Sequence, residues 1–412
     1  MLSNFLKIII GLLLGICTLI EPVFSQNTFE FIGKRTRQQI SFKAVRGLVI
    51  LPMYINNKGP YNFILDTGVG ITVITDPLLK DSLNLKYLRK IDLSGLGDQI
   101  ELTAYTTPFL NFRIASTEAK SCAAAILDKD ILNLSSYAGM KIHGLIGYDF
   151  FKSFKIRINY STQLLKIYQN TLPRLIAKGN KIDIQIEGNK PYVNVLVNVP
   201  NHQKLPLKML IDTGSGNPIS LETYQKSAFP LPDNFVISNL GVGLSGNIRG
   251  FKGRIDQLKI GKFYMDSIIA AFPYYEDIGA KITSVERNGS IGNTLLKKFD
   301  VLFDYSNSCM YLKETTSLKE AFEYDMSGME IAASGKNFDE FFVTRIERGS
   351  PADELGVQIG DQLLRLNFST VDKLTLDEII QLLCSRNGRT FYLEMARKEE
   401  IYAGILTLKR RL

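Results

Sequence analysis

Apolar positions along this chain come in short alternating or continuous runs bounded by Gly, Pro and Asn, and long helical periodicity is absent. The runs at 47–55 and 192–199 predict strands. Each is followed by a turn and an apolar strand that ends in Asp-Thr-Gly, at Asp66-Thr67-Gly68 and at Asp212-Thr213-Gly214. More strands follow in each half, and short helices are predicted around 149–154 and 294–299. Val, Ile, Phe and Tyr dominate, as a pleated, half-buried surface requires.

The halves are copies of one another. The two Asp-Thr-Gly segments stand 146 residues apart (212 − 66), and Pro60 and Pro206 share that offset. Gly144-Leu145-Ile146-Gly147, with Phe154 behind it, meets Gly289-Ser290-Ile291-Gly292, with Phe299 behind it, at an offset of 145 (289 − 144). Asn159-Tyr160-Ser161 then meets Asp304-Tyr305-Ser306. Gly95 and Gly97 fall 146 residues before Gly241 and Gly243. Four landmarks in one order predict a duplicated β unit.

From Phe341 the texture changes. Phe341-Phe342-Val343 reads as a strand, Gly349-Ser350-Pro351-Ala352 as a turn opening a short helix, and Gly360-Asp361 as a turn into a further strand. Helical spacing at 376–384 and strands at 329–333, 390–395 and 402–408 complete a third, smaller domain. The predicted organisation is a leader at 1–25, lobes at 41–175 and 176–318, and a C-terminal domain at 325–412. The leader is read from an apolar stretch between Ile8 and Ile20 and a cut after Ser25, which predicts export; an uncleaved membrane anchor is the other reading, although the stretch is shorter than a ~20-residue span.

Two adjacent aspartates supply what amide hydrolysis needs. Like charges at close range cannot both ionise cheaply, so one proton is shared and the pair holds a base and an acid together. A duplicated unit brings one loop from each half to the pseudo-twofold axis, where Asp66 and Asp212 meet as equals. Gly68 and Gly214 permit the tight turns, and Thr67 and Thr213 are placed to bond across to the opposite loop.

At these residues the chain resembles the aspartic proteases of the retropepsin and pepsin type, and specifically the bacterial exported proteins that join such a domain to a PDZ domain. The resemblance implies a mainly β, bilobed acid-protease fold with an interlobe cleft and a small α+β PDZ domain. It also implies an aspartic endopeptidase that acts on polypeptide as a monomer without metal or other cofactor. Asp66 and Asp212 are then catalytic, with loop support from Thr67, Gly68, Thr213, Gly214 and Ser215. Val69 stands where the family usually has Ser or Ala, which predicts unequal carboxyls with the proton more on Asp66. Gly95, Gly97, Gly241 and Gly243 are flap candidates. The Gly241 to Gly246 run also spells G-x-G-x-x-G, but 247–253 cannot begin a helix well, so a hairpin is the better reading. For the PDZ domain, Phe341, Phe342 and Val343 are candidates to bind a peptide by strand addition.

The remaining composition narrows the picture. Net charge is +8 with Lys and Arg scattered, so no nucleic-acid partner is expected. With 2 His and 4 Cys, a His-rich metal site or a serine-type triad has little material. His143 is read as a packing or hydrogen-bonding residue. The alternative function is an inactive peptide-binding protein that keeps the protease fold and PDZ domain.

Overall fold

The computed structural model describes residues 28–93, 97, 102–169, 179–200, 204–243, 246–282 and 285–412. The leader at 1–25 and the flap candidate Gly95 lie outside the described residues. The first lobe is a nine-stranded sheet in the order β1 (Glu30–Phe31), β9 (Thr117–Leu127), β6 (Thr72–Ile74), β10 (Gly144–Ile146), β5 (Lys58–Leu65), β4 (Leu48–Ile55), β8 (Leu102–Ile114), β7 (Arg89–Leu93), with β3 (Lys43–Val45) beside β4. The second lobe is eight-stranded: β14 (Gln185–Glu187), β15 (Lys190–Asn198), β16 (Leu205–Asp212), β21 (Gly289–Gly292), β17 (Ile219–Leu221), β20 (Phe263–Pro273), β19 (Gly246–Ile260), β18 (Phe235–Gly243). The order β9-β6-β10-β5-β4 is thus repeated as β20-β17-β21-β16-β15, and the duplication read from the sequence is a duplication of topology.

The glycine motifs are explained by this order. β10 runs parallel to β5 and β21 parallel to β16, each strand passing directly beside an Asp-Thr-Gly strand. A Cβ on Gly144 would lie 2.3 Å from the Val73 carbonyl oxygen, and one on Gly289 only 1.9 Å from that of Ser220. Only glycine lets these strands insert.

A third, six-stranded sheet joins the halves in the order β13 (Asn180–Asp183), β23 (Cys309–Glu314), β22 (Phe299–Asp304), β11 (Lys155–Asn159), β12 (Leu164–Tyr168), β2 (Arg37–Ser41). At its centre β11 and β22 are antiparallel, with Ile156 opposite Phe303, Arg157 opposite Leu302 and Ile158 opposite Val301. Arg157 and Leu302 are themselves 145 residues apart (302 − 157), so the pseudo-twofold axis passes through that pair. Phe151, Ile156, Ile158, Phe299, Val301 and Phe303 are fully buried here. Each such side chain contributes about 1.5–3 kcal/mol on burial, which makes the lobes one folding unit.

The C-terminal module is a six-stranded sheet in the order β24 (Met329–Ser334), β25 (Glu340–Ile346), β26 (Gln362–Leu366), β28 (Thr390–Arg397), β29 (Glu400–Thr407), with β27 (Ser369–Thr370) beside β26. Helix Leu376–Leu383 opens with a reciprocal cap: the Thr375 hydroxyl accepts from the Glu378 N–H, and the Glu378 carboxylate accepts from the Thr375 N–H. Its apolar face, Leu376, Ile379 and Leu383, closes a separate core with Ile331, Phe341, Val343 and Phe391.

Candidate active site

Strand β5 delivers Asp66 and strand β16 delivers Asp212 to the axis. The apolar residues before each aspartate, Phe63, Leu65, Met209 and Ile211, are fully buried and fix where the loops emerge. The loops then interlock. The Thr67 N–H donates to Thr213 Oγ1 at 3.0 Å, and the Thr213 N–H donates to Thr67 Oγ1 at 2.9 Å. Each hydroxyl passes its proton to the opposite strand: Thr67 Oγ1 to the Ile211 carbonyl at 2.6 Å, Thr213 Oγ1 to the Leu65 carbonyl at 2.8 Å. Four buried bonds related by the twofold axis hold the two halves in register. Thr213→Val is expected to lower the unfolding free energy by about 3 kcal/mol, because it leaves buried partners unmatched; chemical denaturation measures this.

Both carboxylates take the N–H two residues on, Gly68 to Asp66 Oδ1 at 2.6 Å and Gly214 to Asp212 Oδ1 at 2.9 Å. The glycines also make room across the axis. A Cβ on Gly214 would lie 2.3 Å from Asp66 Oδ2, and one on Gly68 3.0 Å from Asp212 Oδ1. The two carboxyls face one another across the axis, and Asp66 is held well above the usual carboxylate range, first by burial and then by the charge of Asp212. A carboxyl in that state keeps its proton at a pH where an exposed one has lost it.

Beneath the loops, the Asp66 N–H donates to the Ile146 carbonyl at 2.8 Å, and Asn293 bonds the Thr213 carbonyl while accepting from Tyr160 Oη at 2.6 Å. Val69 is buried, and its carbonyl accepts from the Tyr148 N–H at 3.1 Å. Ser215 is tied down by its backbone, its carbonyl accepting from the Asn293 N–H at 2.8 Å.

Lys190 and the ion pair of Arg287 with Glu222 escaped the sequence reading. Arg287 Nε meets Glu222 Oε2 at 2.9 Å, both nearly inaccessible, and Lys190 at the start of β15 acts on both aspartates. Burial, then Arg287, push the Lys190 ammonium below its ordinary value, while the aspartates draw it back. No motif marks these residues; only the topology brings β15 to the dyad. Lys190 holds the Asp66 pKa down, so Lys190→Met is expected to move the alkaline limb of any dyad-dependent pH profile upward.

The flap candidates divide. Gly97, between β7 and β8, reaches the second lobe: its N–H donates to the Asp277 carbonyl at 3.0 Å and its carbonyl accepts from Lys281 Nζ. Gly241 and Gly243 lie at the tip of the β18–β19 hairpin, where Gly243 faces Gly246. That hairpin stands beside the second loop, since Asn217 Nδ2 donates to the Leu240 carbonyl at 2.9 Å. His143 accepts the Asn62 N–H on Nδ1 at 3.0 Å and packs on Tyr61, a structural role. Phe341, Phe342 and Val343 do not form a peptide-binding edge. Their strand β25 is paired on both sides, and Phe341 and Val343 point into the core. A strand can be added only at a free edge, and the edge next to β25 is β24, with β29 at the far end of the sheet.

Residues 51–150 match the family model for aspartyl protease, and residues 342–397 match that for the PDZ domain. The chain carries an aspartyl protease domain and a PDZ domain. The protease match covers the first lobe; the second lobe is related to it by the repeated strand order. Tight junction protein ZO-3 of Homo sapiens is 37% identical over 76 residues, 18% of this chain, and the matched stretch spans 8% of that protein's length. The structure of aspartic proteinase from Irpex lacteus aligns over 69% of this chain and 99% of its own, with a TM-score of 0.39 and 9% identity.

Proposed function

We propose that the protein is an aspartic endopeptidase that cuts extended polypeptide between its lobes, with Asp66 and Asp212 as the catalytic pair. The observation that carries this reading is the pair of interlocked Asp-Thr-Gly loops on the axis of a duplicated fold, which brings the two carboxyls so close that a Cβ on Gly68 would stand 3.0 Å from an oxygen of each. Asp212, ionised, takes a proton from a water between the carboxyls as the water oxygen attacks the scissile carbonyl carbon. Asp66 gives its proton to the carbonyl oxygen, and a tetrahedral diol forms. Collapse of the diol returns a proton to Asp66, while Asp212 delivers the other to the leaving nitrogen as the C–N bond breaks. Thr67, Gly68, Thr213, Gly214 and Ser215 hold this geometry, so little reorganisation accompanies the step. The signal-like leader supports action outside the cytoplasm.

A diverse peptide library exposed to the mature chain from pH 3 to 8 tests the reading. Cleavage blocked by a statine-type mimic of the diol supports it. Absence of cleavage together with retained binding of the mimic favours the inactive peptide-binding protein.

A further inference from the structure

The PDZ domain is seated on the protease domain beside the second catalytic loop, and its edge strand β24, one of the two ends of its sheet, is covered by the protease domain itself. Helix Leu134–Ala138 of the first lobe packs on β24, the edge strand. Gly139, which ends that helix at φ +63°, is so close that a Cβ there would stand 3.0 Å from Leu376 Cβ and 3.7 Å from Ala333 Cβ. Leu376 begins the helix behind β24, so Gly139 sits between the strand and helix that an added peptide strand would need. The next residue, Asp377, accepts the backbone N–H of Arg46 at 2.8 Å. The donors that open β24 are also taken: Asp325 Oδ1 accepts the N–H groups of Ser327 and Gly328 at 3.1 and 2.6 Å. A peptide's terminal carboxylate would meet that carboxyl rather than free donors.

The same helix reaches the catalytic loop. The Arg46 guanidinium lies 3.8 Å above the Tyr137 ring, and Tyr137 Oη is 3.1 Å from where a Cβ on Gly216 would be. Gly216 is the second residue after Asp212-Thr213-Gly214. From the other lobe, Arg345 of β25 donates to the Ile237 carbonyl at 2.9 Å, and Glu330 of β24 accepts from Asn239, so β18 is held as well. The PDZ domain therefore grips an element of each lobe, on either side of Gly216 and Asn217.

We propose that this contact is an autoinhibitory clasp: helix Leu134–Ala138 occupies the PDZ edge as an intramolecular ligand, and an extended internal stretch of polypeptide adding to β24 displaces it, freeing Tyr137 and the lobes for substrate entry. The inference rests on the cleft being the substrate site. Because occupation of the edge by helix and by strand are mutually exclusive, whatever weakens the first strengthens the second.

Two variants of the full-length protein test it. Gly139→Cys with Ala333→Cys places two sulfurs across the contact at a Cβ separation suited to a disulfide. Gly139→Asn keeps a residue that tolerates the left-handed backbone but drives side-chain atoms into Leu376. Two rates are read, cleavage of unfolded casein and association of a statine-containing decapeptide with the cleft. The disulfide is expected to form on mild oxidation and to lower both rates about tenfold, with recovery on reduction, while Gly139→Asn raises both by a similar factor. Casein cleavage by the unaltered protein should rise sigmoidally with substrate, since casein strands also open the clasp, and become hyperbolic in Gly139→Asn. Failure of the disulfide to form overturns the docking, and a disulfide that leaves both rates unchanged overturns its control of the cleft. Hyperbolic casein kinetics in the unaltered protein overturn release by an added strand. If casein is never cut but the decapeptide rates follow the expected order, hydrolysis is refuted and the clasp stands.

Discussion

Asp66→Asn and Asp212→Asn are each expected to reduce kcat by about four orders of magnitude, since groups that act as one unit fail together. The two variants should differ in stability. Burial and the charge of Asp212 raise the folded-state pKa of Asp66 above its unfolded value. Its favourable contribution is therefore complete below the unfolded pKa, near 3.8, and is lost as pH rises through the folded value. Asp66→Asn removes that loss. Its Tm should match or exceed that of the unaltered protein at pH 7 and should vary less between pH 4 and 7. Calorimetry beside peptide-cleavage kinetics separates lost chemistry from lost fold.

The second large effect is expected at Gly214. A Cβ there would lie 2.3 Å from Asp66 Oδ2 and 2.4 Å from its Cγ, with no flexible far end to yield, because Asp66 is itself buried between the loops. Gly214→Ala must displace the Asp66 carboxyl by about 1 Å, a misplacement that costs about a hundredfold in kcat/KM. At Gly68 the corresponding distances are 3.0 Å to Asp212 Oδ1 and 3.0 Å to Asp66 Oδ1. A shift of a few tenths of an ångström suffices there, so Gly68→Ala should be the milder change. Equal losses in the two variants would mean that the glycines act through turn conformation alone.

The features legible in the sequence are those written in the chain's own repetition. Asp-Thr-Gly at 66 and 212 and the glycine motifs at 144 and 289 mark strands so closely packed that no other residue fits, and the chain cannot place them without writing glycine. The helix at 376–383 was legible from apolar spacing, because one face alone is buried. The six-stranded sheet between the lobes was not. Its strands come from both halves, and the pairing of β11 (Lys155–Asn159) with β22 (Phe299–Asp304) is decided by the twofold axis rather than by a turn. Lys190, Arg287 and Glu222 were equally silent, being ordinary charged residues that tertiary folding buries together. The PDZ edge was misread for a physical reason. Phe341-Phe342-Val343 has the strongest apolar character in its region, but that character reflects burial in the core, whereas the edge strand beside it is the more modest Met329–Ser334.

In the proposed mechanism Asp66 and Asp212 share one proton, and it resides on Asp66. Infrared difference spectra between the unaltered protein and Asp66→Asn, recorded from pH 4 to 8, test it through the carbonyl stretch of a protonated carboxylic acid. A band present in the unaltered protein near neutral pH, absent from Asp66→Asn and lost only at higher pH, is the predicted result. A difference spectrum at pH 5 that shows Asp66 already ionised would contradict it.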